Sequence, residues 1–196
     1  MKRLPRPAGR FPERRSREYL GRMLTRILIS AAVLALSGAS AALAEPAPAK
    51  HRIEISEMMG RWYEVARTPN SLQRGCEAGT SDWTPTRQGF AVVQACHKGR
   101  PDGPVAEWKA RAKVADSSNS IFRMTFFGGL ISQEYRVLDH HPDQGWLILS
   151  TGDGKYLWLM SQKPTLSAAV RAQAIARIKQ LGFDVGRLEF PLPARS

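Results

Sequence analysis

Apolar and polar residues alternate along the middle of the chain in a way that is typical of half-buried β-strands. In residues 108–114 every second side chain is apolar, and all the side chains between them are Lys or Arg. Side chains two residues apart in a strand share a face, so this segment predicts one face in an apolar interior and one in water. Residues 122–126 and 134–137 repeat the alternation and predict two further strands.

Turn signals separate these strands throughout the apolar part of the sequence. Two more continuously apolar segments, 146–149 and 156–160, flank Thr-Gly-Asp-Gly at residues 151–154, in which Asp-Gly favours a tight hairpin. Other turn-forming clusters lie at residues 85–89, 99–104, 116–120 and 127–129. The pattern predicts an all-β fold, an up-and-down antiparallel β-barrel of about eight strands, because closure removes the exposed strand edges.

One segment near the C-terminus has the features of an α-helix packed outside the barrel. Ser167 is suited to cap a helix over residues 168–181, and Gly182 is suited to end it. Its apolar side chains follow a helical spacing at Val170, Ala174, Ile178 and Leu181. A short final strand is predicted near residues 188–190.

Residues 1–44 predict an export signal. They contain a basic segment ending at Arg26, an apolar core over 27–36 and small residues up to Ala44, after which we expect cleavage. The apolar core is shorter than the roughly 20 residues that span a bilayer. Because no cysteine follows this core, we expect a mature protein without a lipid anchor.

Two features of the leader stay open at the level of sequence. A complete signal also begins at Met23, so either Met1 or Met23 is the start of translation. The Arg-Arg pair at residues 14–15 resembles a twin-arginine signal, but charged residues at 17–18 replace the apolar ones that such signals have, so general secretion is favoured.

The distribution of charge along the chain argues against the nucleic-acid partner that the net charge alone would suggest. The net charge is +12, and residues 1–44 hold nine Lys and Arg against two Glu, so most of the excess leaves with the leader. The remainder has the size of one domain. We therefore divide the chain into a signal peptide (1–44), an N-terminal linker or surface terminus (45–56) and one domain (57–196).

The two cysteines of the exported part predict a disulfide bond. Cys76 and Cys96 are equally distant from Thr86, the centre of a predicted turn, so a hairpin places them on neighbouring strands. An oxidising compartment permits the bond. Closing a loop of about 20 residues contributes roughly 3 kcal/mol to stability in the chain-entropy model.

No cluster of residues predicts catalysis or a metal site. His140, His141 and Asp143 lie close together, but neighbours in an extended chain point to opposite sides, and we interpret this segment as a turn. No nucleophile has a base at a recognisable spacing, and the Gly-Asp-Gly-Lys at 152–155 lacks the helix that follows a phosphate loop. We expect no enzyme activity, no metal and no cofactor.

Three motifs in order resemble those of the lipocalin family. Gly-Arg-Trp-Tyr-Glu at residues 60–64 resembles the signature of the first strand, and residues 135–139 and 156–161 resemble the second and third motifs. From about Met58 to Phe190 the chain is similar to bacterial lipocalins and apolipoprotein D. The resemblance implies a barrel of eight strands, closed at one end, with a cavity for a small apolar ligand.

The same resemblance assigns Gly60 and Trp62 to the fold motif at the closed end. In the family an arginine that follows the third motif stacks over this tryptophan as a cation–π contact, whereas this chain has Gln162 and then Lys163. Closure of that end is left to Arg61, to Lys163 or to packing alone.

The candidate ligand contacts are the apolar and aromatic side chains that the alternation turns inward. We expect about half of them to touch a ligand and the others to fill the barrel. They are Trp83, Trp108, Phe122, Met124, Phe126, Tyr135, Val137 and Trp158. A polar head group has candidate partners in the hydroxyls of Tyr63 and Tyr135 and in an arginine near the mouth, although Arg67, Arg74 and Arg136 are more typical of solvated surface.

The resemblance implies a periplasmic carrier or scavenger of a fatty acid, a lysophospholipid or a similar amphiphile, acting in outer-membrane maintenance. Two alternatives stay open: a barrel enzyme that acts on a bound lipophile, and a filled barrel that serves as a structural or interaction protein. The row Lys109, Arg111 and Lys113 is interpreted as a solvated face, with a transient contact to anionic membrane lipid as the alternative. No nucleic-acid partner is expected, and the oligomeric state is left open.

Overall fold

The computed structural model describes residues 45–194, which form a closed antiparallel β-barrel. Every strand pairs with the next, and the last strand pairs with the first. The strands are β1 (Gly60–Arg67), β2 (Cys76–Thr86), β3 (Gly89–Lys98), β4 (Val105–Val114), β5 (Ile121–Phe126), β6 (Ile131–His141), β7 (Trp146–Thr151) and β8 (Leu157–Ser161). The predicted eight-stranded meander is confirmed. The predicted leader and its cleavage point lie outside the described residues.

In the described residues one α-helix, α1 (Ala168–Gln180), packs on the outside of the barrel, as predicted. The Ser167 hydroxyl accepts a hydrogen bond from the Val170 amide at 3.3 Å, so the expected N-cap is present. Ala174 and Ile178 are fully buried against outward side chains of β1, β6, β7 and β8. Within residues 45–194 no helix has the length and apolar character needed to cross a bilayer.

The final strand predicted near residues 188–190 is not formed. Glu189 makes one isolated antiparallel bridge with Arg67, at the end of β1. Pro191 and Pro193 follow, and neither has an amide hydrogen to continue a ladder. The C-terminal segment therefore pairs with β1 through this one bridge and does not add a strand to the sheet.

The closed end of the barrel is filled by packed side chains. Trp62 is fully buried, and its indole Nε1 donates a hydrogen bond to the Met58 carbonyl at 2.9 Å. In the same cluster, the rings of Trp83 and Phe122 meet edge to face with centroids 5.3 Å apart, and Phe90 packs 6.1 Å from each. We call this packed region the closed-end core.

Packing and one histidine occupy the place of the arginine that the lipocalin resemblance led us to expect beside Trp62. The His140 ring lies edge-on to Trp62 at 6.5 Å, whereas Arg61 points outward and pairs with Asp82 at 2.8 Å. The Gln162 side chain instead donates to the Glu57 carbonyl at 3.4 Å. Of the three explanations left open, Arg61 is excluded and packing is supported.

The segment before β1 packs into the barrel more closely than a linker or surface terminus would. The Ala49 amide donates to the Val137 carbonyl at 2.8 Å, and the Ile53 amide donates to the Ser118 carbonyl at 2.9 Å. The Ile53 side chain is fully buried in the closed-end core. The linker interpretation is wrong for this residue, because an apolar side chain is needed to fill the bottom of the barrel.

The predicted disulfide between Cys76 and Cys96 is present, with the Cα atoms 5.4 Å apart. The symmetry used to predict it is inaccurate, since Thr86 pairs with Gly89 and the turn is centred between residues 87 and 88. Cys96 lies opposite Gly79, and a bulge between Cys76 and Ala78 shifts the register. The bond is therefore diagonal and does not join directly opposed residues.

The buried imidazole of His140 makes a testable contribution to stability. Burial lowers the pKa of His140, against the opposing effect of the Glu57 carboxylate, whose oxygen lies 3.6 Å from Nδ1. The folded protein then binds fewer protons than the unfolded chain, so this contribution is complete above about pH 6.5 and is lost as the pH falls toward the lowered pKa. Urea denaturation at about pH 7.5 and pH 5.5 measures how much the free energy of unfolding falls between the two pH values. We expect this fall to be about 1 kcal/mol smaller in His140→Gln than in the wild type.

The exposed Gln88 in the β2–β3 turn provides the control, since Gln88→Ala changes no titratable group and should retain the wild-type pH dependence. An unchanged pH slope in His140→Gln would contradict the interpretation.

Candidate functional site

A cavity of about 230 Å³ occupies the half of the barrel above the closed-end core. Residues of the β1–β2, β5–β6 and β7–β8 connections surround it, so it opens at the end of the barrel opposite Trp62. We call this opening the mouth. The volume lies below the range of about 300–1,000 Å³ that is usual for drug-sized ligands, which favours one small or slender molecule.

Four of the eight predicted ligand contacts line this cavity. Trp108 and Phe126 lie on β4 and β5, Tyr135 on β6 and Trp158 on β8. The rings of Tyr135 and Trp158 are 5.8 Å apart. The apolar and aromatic part of the wall is completed by Leu72, Ala95, Phe127, Ile131, Leu149, Tyr156 and Met160.

The other four predicted contacts belong to the closed-end core and do not line the cavity. Trp83, Phe122, Met124 and Val137 point inward, as the alternation predicted, but lie nearer the closed end, where side chains fill the barrel. Alternation indicates the face of a strand and not the depth at which a residue lies. Ligand contact by any of the eight stays a prediction.

A buried ion pair at the cavity wall was not predicted from the sequence. A bulge between Glu64 and Ala66 interrupts β1, and the Arg67 guanidinium donates from Nη1 to Glu64 Oε2 at 2.7 Å. Arg67 also donates to Glu189 Oε2 at 2.8 Å and to the Cys76 carbonyl at 2.7 Å. Its side chain is only 4% exposed, so the interpretation of Arg67 as solvated surface is wrong.

Gln73 connects the loop between β1 and β2 to two walls of the cavity. Its amide donates to Glu64 Oε1 at 2.6 Å and accepts a hydrogen bond from the Trp158 indole at 2.9 Å. Asn70 supports it from within the loop, donating to the Gln73 side-chain oxygen at 2.6 Å. On the opposite strand, a Cβ at Gly79 would overlap the Glu64 carboxylate, so glycine leaves the space that this acid occupies.

Burial is the main cause of two pKa shifts at the cavity wall. It raises the pKa of Glu64, while Arg67 and the hydrogen bond from Gln73 act in the opposite direction. It also raises the pKa of Tyr135 to about 12, so the hydroxyl of Tyr135 stays protonated and able to donate at neutral pH. The wall therefore offers a carboxyl group and a neutral phenol.

The other polar candidates lie away from the cavity. Arg136 pairs with Glu134 at 2.8 Å and with Glu45 at 2.7 Å on the outer face of β6. Neither Tyr63 nor Arg74 is among the residues that line the cavity.

The histidines considered for catalysis are also far from the cavity. His140 lies beside Trp62 at the closed end, and His141 stacks on Trp146 with ring centroids 4.1 Å apart, beneath α1. Asp139 accepts a hydrogen bond from Arg177 of α1 at 2.5 Å. In the part of the chain that the structure describes, no three His, Cys, Asp or Glu side chains are grouped as a metal site.

Comparison with known families agrees with the barrel and its cavity. Residues 53–193 match the family model described as a lipocalin-like domain. The match covers most of the chain, so the protein belongs to the lipocalin family, as the three motifs predicted.

Individual relatives include bacterial proteins. The chain is 29% identical to outer membrane lipoprotein Blc of Vibrio cholerae over 140 residues, which cover 69% of this chain and 80% of that protein. It is 28% identical to the protein of the same name from Escherichia coli K12 over 141 residues, or 70% and 77% of the two chains. Among solved structures, insecticyanin of the tobacco hornworm Manduca sexta has a TM-score of 0.60 at 13% identity, covering 74% of this chain and 82% of that chain. This structural similarity concerns the fold alone.

Proposed function

We propose that this protein is an exported carrier that binds one small amphiphile in the barrel cavity, with a fatty acid or a lysophospholipid as the first candidates. The carrying observation is the cavity itself, which is closed at one end, open at the other and lined largely by aromatic and aliphatic side chains. Walls of this composition suit a single hydrocarbon chain. Binding is favoured over catalysis because the histidines considered as catalytic groups lie at the closed end.

Export to the periplasm and a role in outer-membrane maintenance are part of the proposal. The leader pattern of residues 1–44 supports export, as does similarity to proteins named outer membrane lipoprotein. The word lipoprotein in those names denotes a protein with attached lipid, whereas residues 1–44 of this chain have no cysteine after the apolar core. We propose a carrier that diffuses freely.

A transient contact with membrane lipid is the second part of the proposal. Large apolar side chains at the mouth are exposed to solvent, including Leu130 at 88% and Phe127 at 55%. Four exposed cations on the adjacent outer faces of β4 and β5 have no ion-pair partner among residues 45–194: Lys109, Arg111, Lys113 and Arg123. Lys109 and Arg111 are the nearest to the mouth, because Ala110 between them pairs with Phe126 at the end of β5. Apolar side chains beside cations suit an anionic bilayer surface.

Filling part of the cavity should weaken ligand binding. An uncharged fluorescent probe, N-phenyl-1-naphthylamine, is expected to bind saturably at one site. Leu149→Trp, which adds volume inside the cavity, should weaken that binding at least tenfold, a change of about 1.4 kcal/mol. Fluorescence titration measures both constants.

The matched control is Leu192→Trp, because Leu192 is exposed on the C-terminal segment and does not line the cavity. Equal affinity of the two variants, or no saturable binding to the wild type, would refute the carrier proposal.

Removing the exposed apolar side chains at the mouth should reduce membrane association. We expect the wild type to co-sediment with vesicles containing phosphatidylglycerol and to be released by about 0.5 M salt, which screens surface charge. The double variant Phe127→Ser, Leu130→Ser should lose most of this association. Leu192→Ser is the control and should behave like the wild type; equal losses in both variants would count against a contact at the mouth.

The mature N-terminus should begin at Glu45 and carry no lipid. Intact-mass measurement of the protein purified from its own cells should give the mass of residues 45–196 with one disulfide bond. An added mass corresponding to acyl chains would show that the protein is anchored, and retention of the leader would contradict export by cleavage.

A further inference from the structure

The charges around the cavity are distributed unevenly. Glu64 is the one carboxylic acid among the described side chains that line the cavity, and no Lys, Arg or His lines it. Arg67, the cation in contact with Glu64, is buried outside the lining and uses all three guanidinium nitrogens on Glu64, Glu189 and the Cys76 carbonyl. The contact of Arg67 Nη1 with Glu64 Oε2 at 2.7 Å favours the ionised form of Glu64, against the effect of burial. With Glu64 and the half-exposed Glu189 both ionised, the two carboxylates and one guanidinium carry one excess negative charge.

A ligand anion inside the cavity would therefore meet a carboxylate without a free cation. Charges interact much more strongly in a poorly hydrated cavity than in water, and an unpaired buried anion is costly. An ionised head group is disfavoured there.

Polar side chains also form the deepest part of the cavity on three adjacent strands. Glu64, Ser81 and Gln94 are the innermost lining residues of β1, β2 and β3. The next inward residues toward the closed end, Trp62, Trp83 and Val92, are buried in the closed-end core. The register supports this layer, since Ser81 lies opposite Gln94. We call Glu64, Ser81 and Gln94 the polar floor.

Several polar groups that face the cavity have no hydrogen-bond partner among residues 45–194. These are the side-chain amides of Gln94 and Gln133 and the hydroxyl of Tyr135. Amides and a protonated phenol donate as well as accept, so they complement a neutral group such as a hydroxyl. The mouth presents the apolar side chains of Leu72, Phe127 and Ile131, with Asn70 and Ser71 of the β1–β2 loop beside Leu72.

We propose that the cavity takes its amphiphile head first and selects an uncharged, hydrogen-bonding head group, such as a hydroxyl or glycerol, over an anionic one, with Glu64 as the residue that determines this preference. The hydrocarbon chain then lies along the aromatic upper wall and reaches the apolar mouth. The inference rests on the proposed carrier function and narrows its ligand class. An ionised fatty acid or a lysophospholipid has to leave its charged group at the mouth.

Two probes with the same hydrocarbon chain test this selection. Displacement of N-phenyl-1-naphthylamine from the full mature chain is measured with 1-monododecanoylglycerol and with dodecanoate, both below their aggregation concentrations and at about pH 8, where carboxylic acids are ionised. We expect the glycerol ester to bind at least tenfold more tightly. Equal affinities would overturn the inference while leaving the carrier function intact, whereas failure of the fluorescent probe itself to bind would refute the carrier function.

Glu64→Gln tests the residue directly, because it removes the charge and keeps the shape. We expect the affinities for the glycerol ester and for dodecanoate to come within about threefold of each other. The change should arise mainly from tighter dodecanoate binding, because the repulsion between Glu64 and the ligand carboxylate is removed. Glu107→Gln is the matched control on the outer face of β4, where the side chain is exposed, and it should keep the wild-type ratio. A wild-type ratio in Glu64→Gln would overturn the role of Glu64.

Gln94→Lys provides a second test that leaves the Glu64–Arg67 pair in place. A cation on the polar floor should strengthen dodecanoate binding at least fivefold if the head group reaches the floor. If the hydrocarbon end reaches the floor instead, Gln94→Lys should weaken both probes equally, and this result would overturn the head-first orientation.

Discussion

The buried contact between Glu64 and Arg67 joins the parts of the chain that shape the open half of the barrel. Arg67 reaches Glu189 of the C-terminal segment and the carbonyl of Cys76 at the start of β2, while Glu64 holds Gln73 of the β1–β2 loop. An ion buried without its partner is strongly unfavourable, so each of these attachments depends on the others. The position of the loop beside the mouth depends on this interaction together with the hydrogen bond from Trp158 to Gln73.

The barrel interior is divided between stability and binding. Below Glu64, aromatic and aliphatic side chains fill the space and leave no room for a ligand. Above it, the wall mixes aromatic rings with polar side chains, of which Gln94, Gln133 and the Tyr135 hydroxyl have no hydrogen-bond partner in the described part of the chain. Inward side chains therefore stabilise the closed half of the barrel and line the cavity in the open half. Ile53 and Met58 of the N-terminal segment help to fill the closed half.

Much of the fold was predictable because it rests on local patterns. Alternation in 108–114 and helical spacing in 168–181 are properties of short segments, and both elements are present. The cavity was predictable only in part. The bulge between Glu64 and Ala66 changes the register without any sequence signal, and Glu189 joins Arg67 across 122 residues. Continuing the alternation from Trp62 and Val92 would have turned Glu64 and Gln94 inward, so these two residues could have been found.

The way the segment before β1 is held has a consequence for the order in which the chain would become structured during the secretion that we propose. Its amides at Ala49 and Ile53 donate to the carbonyls of Val137 on β6 and Ser118 in the β4–β5 connection, which are made much later. A chain threaded through a membrane from its N-terminus therefore presents this segment first but cannot fix it until β5 and β6 have emerged. We expect the stretch directly after the leader to stay extended and accessible to a signal peptidase while most of the barrel is still being delivered.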